Sequence, residues 1–143
     1  MRIFWITPNS GLMPAGNKKS YNGGGWIAGL QAALQLYGEG CILGIAFPCY
    51  EKKPFKLVKD GCLYYPIYSR KSFVRKVMNR LKWKNGSDNL ILFKQALNDF
   101  KPDIVHVFGV ELPYSPIIRE INSPTIVHLQ GFLNPCLNAY FPP

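Results

Sequence analysis

Short, unbroken apolar runs separated by helix-length segments constrain this chain more than any other feature. Residues 2–7 (RIFWIT), 41–47 (CILGIAF), 103–108 (DIVHVF) and 125–130 (TIVHLQ) are too short for buried helices. They also lack the in–out alternation of a strand with one wet face. Such runs read as strands covered on both sides, and that burial belongs to a parallel sheet with helices over each face. Pro8 closes the first run and Pro48 the second. Residues 63–68 (LYYPIY) form a weaker strand, which Pro66 confines to an edge or short position because proline donates no ladder hydrogen bond.

Helical periodicity fills the intervals. Trp26, Ile27, Leu30, Ala33, Leu34 and Tyr37 recur at three- and four-residue steps and predict a helix ended by Gly38 and Gly40. Residues 72–84 set Phe73, Val74, Val77, Met78 and Leu81 on one face. A further helix follows Ser87 or Asp88 as its cap, turns Leu90, Phe93, Leu97 and Phe100 inward and stops before Pro102. A short helix is expected over residues 113–121. Right-handed crossovers then give a doubly wound α/β domain spanning residues 1–143, with no internal repeat. A ligand would lie beyond the carboxyl ends of the strands, near residues 8–25, 109–114 and 131 onward.

Composition excludes several classes. With 48% hydrophobic and 17% charged residues the chain is neither disordered nor membrane-like, and its longest apolar candidate, residues 41–49, falls short of the ~20 a spanning helix needs. The four apolar residues after Arg2 are too few for a secretory signal. Cys41, Cys49, Cys62 and Cys136 show no metal-ligand spacing and read as reduced, mostly core thiols of a cytosolic protein, so neither a metal nor another cofactor is expected.

The net charge of +9 is concentrated. Arg70, Lys71, Arg75, Lys76, Arg80, Lys82 and Lys84 lie together with no acidic residue among them. A solvated helix face is one reading. The other is adhesion to anionic lipid at the inner face of a membrane, where each such charge contributes about 1 kcal/mol. Nucleic acid is disfavoured, because no recognition motif or interleaved aromatic platform accompanies the charge.

The glycine cluster Gly23-Gly24-Gly25 opens the first helix. Without Cβ atoms, these residues admit a ligand to the backbone, and the helix start offers free N–H groups to a phosphate. They also serve a plain turn, and that reading stands beside the functional one. Gly23-x-Gly25-x-x-Ala28 formally fits a relaxed dinucleotide pattern, but residues 9–22 separate it from its strand, and Glu51 comes late for a ribose partner. A phosphate loop of the Gly-Lys-Ser/Thr type fails at Gly11 to Lys18, since the lysine is displaced and the required hydroxyl is not in place.

A strand at the start, a long loop, glycines opening an amphipathic helix, and then Pro102-Asp103-Ile104-Val105-His106 resemble the N-terminal domain of family 4 glycosyltransferases. The run from Ser123 to Gly131 resembles that family's next strand and loop. The resemblance implies a Rossmann-like domain, one of the two in a GT-B architecture, with the C-terminal nucleotide-sugar domain absent from this chain. It implies metal-free, retaining transfer of a sugar from a nucleotide diphosphate sugar to a glycan or lipid-linked acceptor, as in cell-surface polysaccharide synthesis. Gly23, Gly24 and Gly25 would approach the donor phosphate. Gln130, Glu111, His106, Asn22 and Tyr21 would face the acceptor. Gln130 stands where the family often has histidine, so it can hydrogen-bond a sugar hydroxyl but cannot act as a base. His106 and His128, each inside an apolar strand, also read as buried core histidines. A free-standing nucleotide- or dinucleotide-binding module is the alternative.

Overall fold

The computed structural model describes residues 1–13, 25–51, 53–68, 86–109 and 115–129. The elements are β1 (Arg2–Ile6), α1 (Gly25–Tyr37), β2 (Ile42–Cys49), β3 (Leu57–Lys59), β4 (Cys62–Tyr68), α2 (Gly86–Phe100), β5 (Ile104–Phe108), a short 3-10 helix (Ser115–Glu120) and β6 (Thr125–His128). They form a six-stranded sheet in the order β3-β4-β2-β1-β5-β6. All neighbours pair parallel except β3 with β4. This is the expected α/β, Rossmann-like, doubly wound arrangement, with one antiparallel edge strand that the apolar pattern did not announce. Residues 57–59 (LVK) are too short and polar to register, and the turn at Asp60-Gly61 sets the hairpin, both residues having positive φ (49° and 75°).

Alternation along each strand sorts side chains between two cores. Phe4, Ile6, Ala46, Tyr65, Ile67, Val105 and Val107 meet Phe93, Ala96, Leu97 and Phe100 of α2 and Ile117 of the 3-10 helix. On the opposite face Trp5, Leu43, Ile45, Phe47, Cys62, Tyr64 and Phe108 meet Ile27 of α1. Each fully buried Phe, Ile or Leu side chain stabilises the fold by about 1.5–3 kcal/mol relative to exposure. The helix ends are held by the chain start. Arg2 donates through its guanidinium to the carbonyls of Phe100 and Lys101, lies over the Phe100 ring, and donates its backbone N–H to Asp103. These bonds satisfy carbonyls that the last turn of α2 leaves open.

Two prolines behave differently from the sequence expectation, for the same reason. β2 runs through Pro48 to Cys49, and β4 is an interior strand despite Pro66. The β1 pairing of β2 ends at Ala46, and the β3 pairing of β4 ends at Tyr64. Each proline therefore stands where its strand has only one neighbour, and a missing N–H breaks no two-sided ladder.

β6 departs from the expectation of two covered faces. It is the outermost strand, and Ile126 and Val127 are exposed among the described residues. Of the cysteines expected to be mostly core thiols, Cys62 is buried and Cys41 and Cys49 are half-buried, all three as free thiols, while Cys136 lies outside the described residues. No described helix is long and apolar enough to cross a membrane. The basic segment from Arg70 to Lys84, with its predicted helix, also lies outside the described residues.

Candidate functional site at the sheet switch point

Strand order reverses direction between β1 and β5. The chain leaves β1 toward α1 on one face, and leaves β5 toward the 3-10 helix on the other. Connections that part in this way leave a crevice outside the carboxyl ends of the two strands. The residues around it are Thr7 to Met13 after β1, Gly25 and Trp26 at the start of α1, Gly109 after β5 and His128 at the end of β6.

The first part of the β1–α1 loop is tightly fixed. Buried Thr7 donates its backbone N–H to Ala46 O at 2.9 Å and its hydroxyl to Asn9 O at 2.5 Å. Asn9 accepts from Gly11 N through its side chain at 3.0 Å, and the Ser10 hydroxyl donates to Met13 O at 2.6 Å. Gln31, fully buried on the inward side of α1, ties this loop to the sheet. Its Oε1 accepts from Leu12 N at 2.8 Å, while its Nε2 donates to Tyr64 Oη at 2.5 Å and Cys62 Sγ at 3.6 Å. Gly11 is required here twice over: its φ is +58°, and a Cβ would collide with the Gln31 carbonyl oxygen. Gln31 was missed by the sequence reading, although a polar residue four positions after Ile27 on the inward stripe is the signal that marks it.

Of the glycine cluster, Gly25 is described and Gly23 and Gly24 are not. Gly25 is the first residue of α1, exposed, and a Cβ built on it would meet no atom of the described residues within 4 Å. Neither positive φ nor close packing within the described protein requires glycine at this position. The first turn of α1 carries no acidic residue, so its N-terminal partial positive charge is uncompensated by its own side chains.

His106 and His128 differ in surroundings. On the α1 face of the sheet, His106 stacks on Phe108 with ring centres 4.0 Å apart and lies 5.8 Å from His128. Its Nε2 is buried and has no hydrogen-bond partner among the described residues. Burial lowers its pKa, with a smaller contribution from His128, so the imidazole is held neutral. His128, expected in the core, is exposed. The exposure follows from its place on the outermost strand, where the Trp26 ring of α1 lies 4.9 Å from its own. Tyr21, Asn22, Glu111 and Gln130 lie outside the described residues. A separate concavity of about 520 Å³, lined by Leu97, Lys101, Glu120 and Ser123 among others, sits at the amino ends of β5 and β6, away from this crevice.

The fold and the crevice define a Rossmann-like α/β domain of the kind found in GT-B enzymes. A solved structure with this fold is sucrose-phosphate synthase from Thermosynechococcus elongatus, a GT-B glycosyltransferase: it superposes with a TM-score of 0.60 at 10% sequence identity, over 96% of this chain and 35% of the enzyme chain. The present chain thus spans about a third of that enzyme's length. No protein-family model matches the sequence, and no curated protein matches it significantly. At this identity the similarity shows the fold alone.

Proposed function

We propose that this chain is the N-terminal, acceptor-binding half of a retaining glycosyltransferase. It would transfer a sugar from a nucleotide diphosphate sugar to a glycan or lipid-linked acceptor, in cell-surface polysaccharide synthesis at the inner face of a membrane. The observation that carries the proposal is Gly25. It opens a helix at the switch point, and no described residue lies close enough to give it a packing reason to be glycine. A donor diphosphate approaching that helix start would use both the missing Cβ and the free N–H groups. The fold shared with a GT-B enzyme over nearly the whole chain supports the same reading.

In this reading a second domain holds the nucleotide, and Gly23 to Gly25 complete the phosphate contact when the two halves close. Retention needs no base from this half, because the leaving phosphate can accept the acceptor's proton. Gln130, Glu111, His106, Asn22 and Tyr21 line the acceptor side, and the basic segment from Arg70 to Lys84 holds the enzyme to anionic lipid. Flotation with anionic vesicles at low salt tests that last element.

Gly25→Ala tests the central claim. Alanine replaces glycine in a helix here without meeting a neighbour among the described residues, so the unfolding midpoint should stay level or rise. Affinity of the two-domain protein for its nucleotide sugar should fall about tenfold, equivalent to ~1.4 kcal/mol. Unchanged donor affinity would refute the phosphate role of the loop. Tight binding of NAD by the 143-residue chain alone, read from Trp5 and Trp26 fluorescence, would instead favour a free-standing dinucleotide module.

A further inference from the structure

Trp26 is a large aromatic side chain at the mouth of the crevice that the fold does not bury. It stands one residue after Gly25 and is 41% exposed. Its ring lies 5.3 Å from that of Phe108 and 4.9 Å from that of His128, tilted by 46° and 34°. Phe108 in turn packs edge-on to buried Trp5 at 5.1 Å and stacks on His106. The indole is therefore backed by a ladder of rings whose inner members are fixed in the core, while part of its own surface stays open. Exposed Leu30 and Ile126 provide apolar surface on the adjoining α1 and β6.

The face of an indole carries the negative side of the ring quadrupole, so the Trp26 platform suits a neutral ring with C–H groups better than an anion. A pyranose has that character. One face presents C–H groups to an electron-rich indole, and its rim presents hydroxyls that both donate and accept hydrogen bonds. The imidazole nitrogens of His128 offer hydrogen-bonding groups to match. The buried Nε2 of His106, without a hydrogen-bond partner among the described residues, lies behind the platform.

We infer that Trp26 and His128 form a stacking subsite for a neutral pyranose ring of the acceptor, with Trp26 as the platform and His128 as the hydroxyl partner. The assignment of that ring as acceptor rests on the transferase reading, whereas the platform is a property of this chain alone. The stack also places the sugar beside the helix start at Gly25, where the donor phosphate would lie.

The test is titration of the 143-residue chain with methyl glycosides of glucose, galactose and mannose, and with uridine as a stacking base without a sugar-only rim. The readout is the Trp26 indole N–H resonance, identified by its loss in Trp26→Phe. At least one glycoside should shift that resonance saturably. By isothermal titration calorimetry, which does not depend on that resonance, Trp26→Ala should weaken its binding about tenfold and His128→Ala several-fold. Trp26→Phe keeps a smaller ring and should weaken it less, which separates stacking from any loss of fold. Absence of a shift with all three glycosides, or a shift with uridine alone, would overturn the subsite. In the two-domain protein, Trp26→Ala should raise the acceptor KM with little change in donor KM. Sugar transfer with an unchanged acceptor KM would sink the subsite and leave the transferase reading intact. Glycoside binding at Trp26 without transfer from any donor would uphold the subsite and sink that reading.

Discussion

Replacing Gln31 with leucine probes the bond set that fixes the start of the β1–α1 loop. Leucine fills nearly the same volume, so the perturbation is loss of polarity. The Leu12 amide loses its acceptor, and Tyr64 Oη loses the donor that holds it at 2.5 Å. The Leu12 end is partly accessible, and water can replace the lost bond for a net cost of about 1 kcal/mol. The Tyr64 side chain is 1% exposed, so its hydroxyl is left buried without the amide, at a cost of about 1–3 kcal/mol. Burial of extra apolar surface offsets part of this, and a net loss of about 2 kcal/mol follows. In urea, with a slope of about 1–3 kcal/mol/M, the midpoint should drop by roughly 1 M. The sharper expectation concerns the pair. Tyr64→Phe alone removes the acceptor for Gln31 Nε2 and costs about 1 kcal/mol, yet in the Gln31→Leu background it removes the orphaned hydroxyl. The double variant should therefore be no less stable than Gln31→Leu, a coupling of about 1–2 kcal/mol. Hydrogen exchange at the Leu12 amide should accelerate in Gln31→Leu and remain slow in Tyr64→Phe. Additive losses, or equal exchange rates, would show that Gln31 does not clamp the loop.

Gly44 lies in β2 where a Cβ would come within 2.7 Å of Phe100 and 2.8 Å of Phe4, both in the core. Gly44→Ala should cost about 1–3 kcal/mol by urea unfolding, and Phe100→Leu should recover part of that loss in the double variant rather than add to it. His106 has a lowered pKa through burial, so the unfolded chain binds its proton more readily than the folded one. Its neutral burial is fully tolerated above the unfolded value of about 6.5, and stability is lost as pH falls from there toward the lowered folded value. His106→Leu should flatten that part of the pH–stability curve, and an unchanged slope between pH values just above and below 6.5 would contradict the assignment.

Much of the site's framework was legible in the sequence, because strands covered on both faces need continuous apolar runs and α1 needs an apolar arc. The arc did not say which side faces the sheet. Ile27 and Gln31 turn inward, whereas Trp26, Leu30 and Tyr37 from the same periodic set remain exposed. Periodicity measures spacing along one helix and carries no information about the width of the surface on which it packs. The misplacement of His128 has a related cause. An apolar run such as TIVH reads alike in a central strand and at an edge, and only the strand order puts β6 last. The role of Gln31 depends on partners distant in the chain, Leu12 and the β4 side chains of Cys62 and Tyr64.

By itself the sequence determined the class of fold, the order of its main strands and helices, and the glycine start of α1, since these depend on local pattern and chain connectivity. Tertiary structure decided what those features face. It left Gly25 without a close neighbour among the described residues, drew Gln31 into a buried clamp, and lifted Trp26 onto a stack of rings from β5 and β6. Those outcomes depend on contacts between segments far apart in the chain, which no local pattern encodes.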